Sequence, residues 1–210
     1  MPRSHRVLSL LFVALCAGEA CAPAIRTAAR VAPLPAQPAE SPLPGEPVLD
    51  AALVPEPGLE GLRLRGLMVP VLGVSPSQVR DSYDAARDGG RRHLAQDILA
   101  SRGTPVLAAD DGAILRIGTN ALGGNVIWAA DSSKRFAYYY AHLDRYARGL
   151  HEGQQIRRGD VIGYVGTTGN APADLPHLHF QVVRIVDEKH FSSGPPFNPV
   201  SFFTTSGVSR

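Results

Sequence analysis

The chain has 210 residues, with 21 Lys and Arg against 19 Asp and Glu, a formal net charge of +2, and 2 cysteines. That length suits one ordinary domain plus an extra segment. The near-neutral balance excludes the basic stripe that nucleic-acid binding demands, and two cysteines cannot build a disulfide scaffold. Both of them, Cys16 and Cys21, fall before residue 58, so the chain is divided by composition. Arg3 and Arg6 precede the apolar run over 7–17 and the small residues around Ala20. A basic start, a short apolar core and a small-residue exit describe a secretory signal peptide over 1–20. The run is too short to span a membrane, which takes about 20 apolar residues.

Gly18-Glu19-Ala20 before Cys21 is similar to a lipobox, with Gly18 in place of the usual Leu. Cys21 is therefore a candidate lipid-modified residue and membrane tether. Residues 23–57 hold 9 prolines in 35 positions. Proline fixes φ and removes an amide donor, so 21–58 reads as an extended Pro/Ala-rich linker.

From Leu59 onward the pattern changes, and 59–210 reads as one domain. The run 67–74 is a strand candidate. Runs 105–109 and 113–118 flank Asp110-Asp111-Gly112, a hairpin signal, and 125–130 and 135–142 flank a second turn over 131–134. Another strand is expected over 160–166. Over 177–186, Leu178, Phe180 and Val182 share one face and His177, His179 and Gln181 the other. The best helical stretch is short, around 76–86. Many short strands with Gly-rich turns predict a mostly β, antiparallel fold, a sheet or sandwich.

Chemistry concentrates in histidine. His93 and Asp97 lie four apart, which on a strand is the same face; His177 and His179 share a face; and alternation gives Tyr138, Tyr140 and His142 one face, with Tyr139 and Ala141 on the other. Zinc takes imidazole nitrogen and carboxylate oxygen tetrahedrally, and its catalytic sites use three protein ligands plus water. Four His and one Asp exceed three ligands by two, leaving groups for proton transfer and oxyanion stabilisation. Each motif alone is common by chance; His5, His151 and His190 sit in the leader or polar loops and receive no role.

Taken in order, these residues resemble the lysostaphin-type, or LytM-domain, zinc metallopeptidases. The pattern runs through His93 to Asp97, Gly103-Thr-Pro-Val106, Ala108 to Gly112, Gly124-Asn125, Tyr140 to Leu143, Gly159 to Gly166, Thr168-Gly-Asn170, His177 to Phe180 and Asn198-Pro199. The resemblance implies a LytM-type fold with a narrow groove and one Zn2+ per chain held by His93, Asp97 and His179. It also implies His142 and His177 as catalytic residues beside the water, and Tyr140 in the substrate groove. Ala95 replaces a common Gly, Gln181 a common Glu, and 171–176 is an insertion. The expected activity is hydrolysis of peptide cross-links in bacterial peptidoglycan by an exported, periplasmic protein, anchored to the outer membrane if Cys21 is lipidated. The alternative is a non-catalytic LytM-domain regulator that activates cell-wall amidases, with division proteins as partners. A lipoyl- or biotinyl-type carrier hairpin around Lys134 would leave the histidines unexplained.

Overall fold

The computed structural model describes residues 58–87 and 90–205, all within the second of two units, Leu49–Arg210. The expected leader, Cys21 and the linker up to residue 57 lie outside the described residues.

The fold opens with one helical element, α1 (Leu59–Arg65). A two-stranded hairpin follows, β1 (Ala86–Arg87) with β2 (Arg91–Arg92). The remaining strands are β3 (Gln96–Leu99), β4 (Pro105–Leu107), β5 (Gly112–Asn120), β6 (Gly124–Asp131), β7 (Phe136–Tyr146), β8 (Gln155–Ile156), β9 (Val161–Val165), β10 (His177–Arg184) and β11 (Pro196–Phe197). They form a nine-stranded sheet with the central path β11-β10-β7-β6-β5-β8; β3 adds to β10, and β9 pairs β7 and carries β4. Every one of these ladders is antiparallel. The mostly β, antiparallel fold is therefore as the sequence predicts.

β10 organises the rest. On one edge it pairs β3 through His177↔Leu99, Leu178↔Ile98 and His179↔Asp97; on the other it pairs β7 through His179↔Ala141 and Phe180↔Tyr140. Its alternation holds: Leu178, Phe180 and Val182 are buried with Ile98, Tyr138 and Tyr140 in the core. Because the side-chain period is two, a slip of one residue would send all three to the opposite face. The burial of that apolar face therefore fixes where His177 and His179 point.

Three local expectations are corrected. Asp110-Asp111-Gly112 does not close a hairpin: β4 pairs β9, whereas β5 pairs β6 and β8. The Asp110 carboxylate is instead buried, accepting from Arg65 Nε and the Tyr138 hydroxyl, each at 2.8 Å. A buried carboxylate with charged and hydroxyl donors makes a corner between layers rather than a solvated turn. The run 67–74 forms no strand and contributes bridges, Leu67↔Phe203 and Val71↔Val106. The only helical element within residues 76–86 is a 3-10 turn over Pro76–Gln78, while the unanticipated α1 buries a single residue, Leu62.

Candidate metal centre

The first ligand pair does not form as strand alternation suggests. Four strand residues span about 13 Å, too far for two side chains to share an ion. His93 precedes β3, and Leu94 takes a left-handed φ of 54°, folding the chain back so that His93 Nε2 lies 3.0 Å from Asp97 Oδ1. Gln181 donates its amide to the Leu94 carbonyl at 3.0 Å and braces this turn. The residue that departs from the resembled pattern thus has a structural task. Ser82 completes the support: its carbonyl bonds His93 Nδ1 at 2.8 Å, and its hydroxyl accepts the Asp97 amide at 3.0 Å.

The third member arrives by register. His179 stands directly across from Asp97, with its Nδ1 at 3.1 Å from Asp97 Oδ1 and 3.0 Å from His93 Nε2. A carbonyl only accepts, so the bond to Ser82 places the His93 proton on Nδ1 and turns the Nε2 lone pair inward. Two acceptors, His93 Nε2 and Asp97 Oδ1, therefore face each other. A neutral His179 carries one ring proton and can relieve at most one of these contacts. Such a cluster suits a cation. Bonds of about 2.0–2.1 Å in a tetrahedron put donor atoms roughly 3.3 Å apart, close to the spacings here, and the donor set of imidazoles and carboxylate is one that zinc accepts.

His142 and His177 stand beside the cluster, with ring centroids 4.9 Å apart, and His142 is 5.6 Å from the His179 ring. Each donates Nδ1–H to a backbone carbonyl at 2.8 Å, Thr168 for His142 and Leu175 for His177. Both therefore present an Nε2 lone pair. The Leu175 carbonyl belongs to the 171–176 insertion, which thereby orients His177.

His142 reaches the cleft by breaking alternation. Its φ is 61°, and the β6–β7 register shifts between Asn125 and Ile127. On a regular strand it would join Tyr138 and Tyr140 in the core. Among the described residues, two of the three non-glycine residues with positive φ, Leu94 and His142, thus serve this site, a conformation that costs on the order of 1–2 kcal/mol per residue. The Thr168 carbonyl is held near by the back-to-back approach of Gly124 and Gly169. A Cβ on Gly169 would meet the Gly124 amide nitrogen at 2.3 Å.

Tyr140 is a correction. It is 0% exposed, and its hydroxyl accepts the Ala109 amide at 3.0 Å, so it belongs to the core. Regular pairing with β10 puts its neighbour on the cleft side instead: Tyr139 lies across from Gln181, packs on Trp128 at 4.5 Å and meets the His179 ring edge-on at 6.0 Å. The cleft encloses about 580 Å³ and is lined by these aromatics, four histidines and the arginines of the β1–β2 hairpin. Sequence reasoning passed over Arg87, Arg91 and Arg92, although adjacent arginines directly before His93 were a visible signal.

Electrostatics follow from burial and pairing. Burial would raise the Asp97 carboxyl, but its imidazole neighbours His179 and His93 outweigh it and hold it well below the usual carboxylate range. Burial pushes His142 down to about 4, against the opposing pull of its bond to Thr168. Burial likewise lowers His179 in spite of Asp97. Burial thus favours the neutral form of His142 and His179, the form that binds metal or accepts a proton.

Among solved structures, the chain is similar to Helicobacter pylori Csd3 (TM-score 0.52, 28% identity, 67% of this chain and 35% of that one). It is also similar to the antimicrobial peptidase lysostaphin from Staphylococcus simulans (TM-score 0.50, 27% identity, 63% and 52%). Curated relatives include an L-Ala–D-Glu endopeptidase of Bacillus subtilis, 36% identical over 133 residues, which are 57% of this chain and 40% of that protein. A DD-carboxypeptidase/endopeptidase of Neisseria meningitidis is 38% identical over 111 residues, 53% of this chain and 23% of that protein. The chain thus spans less than half the length of these curated relatives. Residues 91–199, which include every histidine of the cluster and its flank, match peptidase family M23, and the chain belongs to that family.

Proposed function

We propose that this chain is an exported zinc metalloendopeptidase that hydrolyses peptide cross-links of bacterial peptidoglycan. One observation carries the proposal: His93 Nε2, Asp97 Oδ1 and His179 Nδ1 converge within 3.1 Å of one another, with two further imidazoles alongside. Relatives named as an L-Ala–D-Glu endopeptidase and a DD-carboxypeptidase/endopeptidase support the substrate class. His93, Asp97 and His179 would hold the ion. Zinc, when bound, acts as a Lewis acid and makes water a stronger acid.

The chain's own residues do the remainder. His142 and His177 keep their Nδ1 protons on backbone carbonyls, so each offers Nε2 to the cleft. One of them accepts a proton from the attacking water, and a proton returns to the leaving amine as the C–N bond breaks. The low proton affinity of His142 keeps it an acceptor throughout the neutral range. Trp128 and Tyr139 wall the cleft and exclude water from the amide. The proposal also includes export to the periplasm by the leader, with lipid on Cys21 as the outer-membrane anchor.

Digestion of purified cross-linked muropeptides by the zinc-loaded chain, with His179→Ala as control, tests the activity. Release of monomeric stems by the wild type alone is the expected result. Intact cross-links together with stimulation of an amidase would replace the enzyme by the regulator.

A further inference from the structure

The cleft has an uneven charge. Its walls carry Arg87, Arg91 and Arg92 and, among the described residues, no carboxylate; the rest of the lining near them, including Asn120, Leu122 and Asn170, is uncharged. All three arginines come from the β1–β2 hairpin, whose strand residues are exposed. The pairing puts Arg87 directly opposite Arg91, and Ala86 opposite Arg92. Like charges opposed across two strands repel, so an anion beside the hairpin is favoured.

Among the described residues, Arg87 and Arg92 each meet an anion. Arg87 bonds Asp97 Oδ2, but Asp97 is also committed through Oδ1 to the ligand cluster. Arg92 pairs with Asp84, and with side chains 61% and 70% exposed this is a pair of the kind that contributes little and exchanges readily. A guanidinium presents a planar fork that fits a carboxylate with two parallel N–H···O bonds. An incoming carboxylate that reaches the cleft can therefore replace Asp84 on Arg92 while the adjoining arginines lower its energy.

The geometry points to the β1–β2 hairpin as a carboxylate-selecting rim, with Arg92 as its principal contact, which directs the site to acidic stem peptides in preference to uncharged glycyl bridges. This inference rests on the peptidase reading for the bond that is cut, but not for the binding it predicts. Stem peptides carry free carboxylates near their cross-link, and a glycyl bridge carries none. Arg92 is thus a specificity residue, and Arg87 and Arg91 reinforce the field around it.

The test uses the zinc-loaded full chain and two readouts. Trp128, the one tryptophan of the sequence, lines the cleft, so its fluorescence reports binding of an uncross-linked stem tetrapeptide that is not cleaved. The free-acid peptide is expected to bind about five- to tenfold more tightly than its carboxyl-amidated form, and rising salt should narrow the gap. Arg92→Gln should bring the free acid to the amidated level, and Arg92→Lys should restore part of the preference. Equal binding of the two peptides by the wild type, or an unchanged preference in Arg92→Gln, overturns the rim. Cleavage of cross-linked dimers is scored separately: preferential binding without cleavage supports the rim and sinks the peptidase reading, whereas cleavage without charge preference does the reverse.

Discussion

Replacing Tyr140 by Phe separates a core role from a groove role. The Tyr140 ring is fully buried, and its hydroxyl is 3.0 Å from the Ala109 amide, which is itself at a buried residue. Deleting the hydroxyl removes the acceptor but leaves the donor, so the cost is that of an orphaned buried amide, about 1–3 kcal/mol. For a domain of this size that is a fall in Tm of about 3–9 °C. Thermal unfolding followed by near-UV circular dichroism should show this shift. The kcat/KM for muropeptide cleavage, measured well below Tm, should stay within about twofold of wild type, since no atom of the cleft is altered. Tyr139→Ala should behave oppositely, losing kcat/KM with a smaller change in Tm, because it removes the ring against Trp128 and His179. A Tyr140→Phe enzyme with unchanged Tm and a tenfold loss of kcat/KM would refute the assignment of Tyr140 to the core.

Three further outcomes follow from the same geometry. Asp131 accepts from Arg65 at 2.9 Å and from the Arg135 and Phe136 amides at 2.8 and 2.9 Å, so Asp131→Ala should lower stability by about 3–5 kcal/mol in urea unfolding while activity per folded molecule is retained. Burial, then the Asp110 charge, raises the Tyr138 hydroxyl well above its usual value. Its folded pKa thus exceeds the unfolded one of about 10, so its contribution is complete below pH 10 and is lost as pH rises further; urea midpoints from pH 8 to 11.5 should fall, and fall less steeply in Tyr138→Phe. Chelating the metal should lower the Tm of the wild type, by about 2.7 kcal/mol of stability if zinc stood at a hundred times its Kd, and leave His179→Ala unmoved; a chelator-insensitive wild type would contradict metal binding at the cluster.

The sequence makes legible those elements whose pattern is set by one neighbour relation. The β6–β7 hairpin needs only its turn and its apolar runs, and β10 only its alternation, so both are found where expected. The cluster of His93, Asp97 and His179 is found too, although for a reason that spacing cannot supply. A left-handed Leu94, braced by Gln181 from 87 residues away, joins His93 to Asp97. Alternation gives Tyr140 and His142 one face, and the structure separates them: Tyr140 follows it into the core, whereas a register shift and a left-handed φ turn His142 to the cleft, and nothing in Tyr-Tyr-Tyr-Ala-His announces this. The Asp110 corner misled for a related reason: an Asp-Asp-Gly turn in solvent and a buried carboxylate facing Arg65 look alike until the partner, 45 residues away, is in place.

The pairing of His179 with Asp97 has a consequence for the order in which the molecule comes into being. The two side chains are 82 residues apart, and β10, the strand that joins them, is the next to last to be made. Contacts so distant in sequence are slow to close and form after local hairpins such as β6–β7. A chain stopped short of β10 contains at most three of the five site residues, His93, Asp97 and His142, and has no centre. Reactivity therefore appears in one step, with the docking of the last long strand between β3 and β7. An incomplete or unfolded chain is chemically silent, and the finished sheet is the condition for its chemistry.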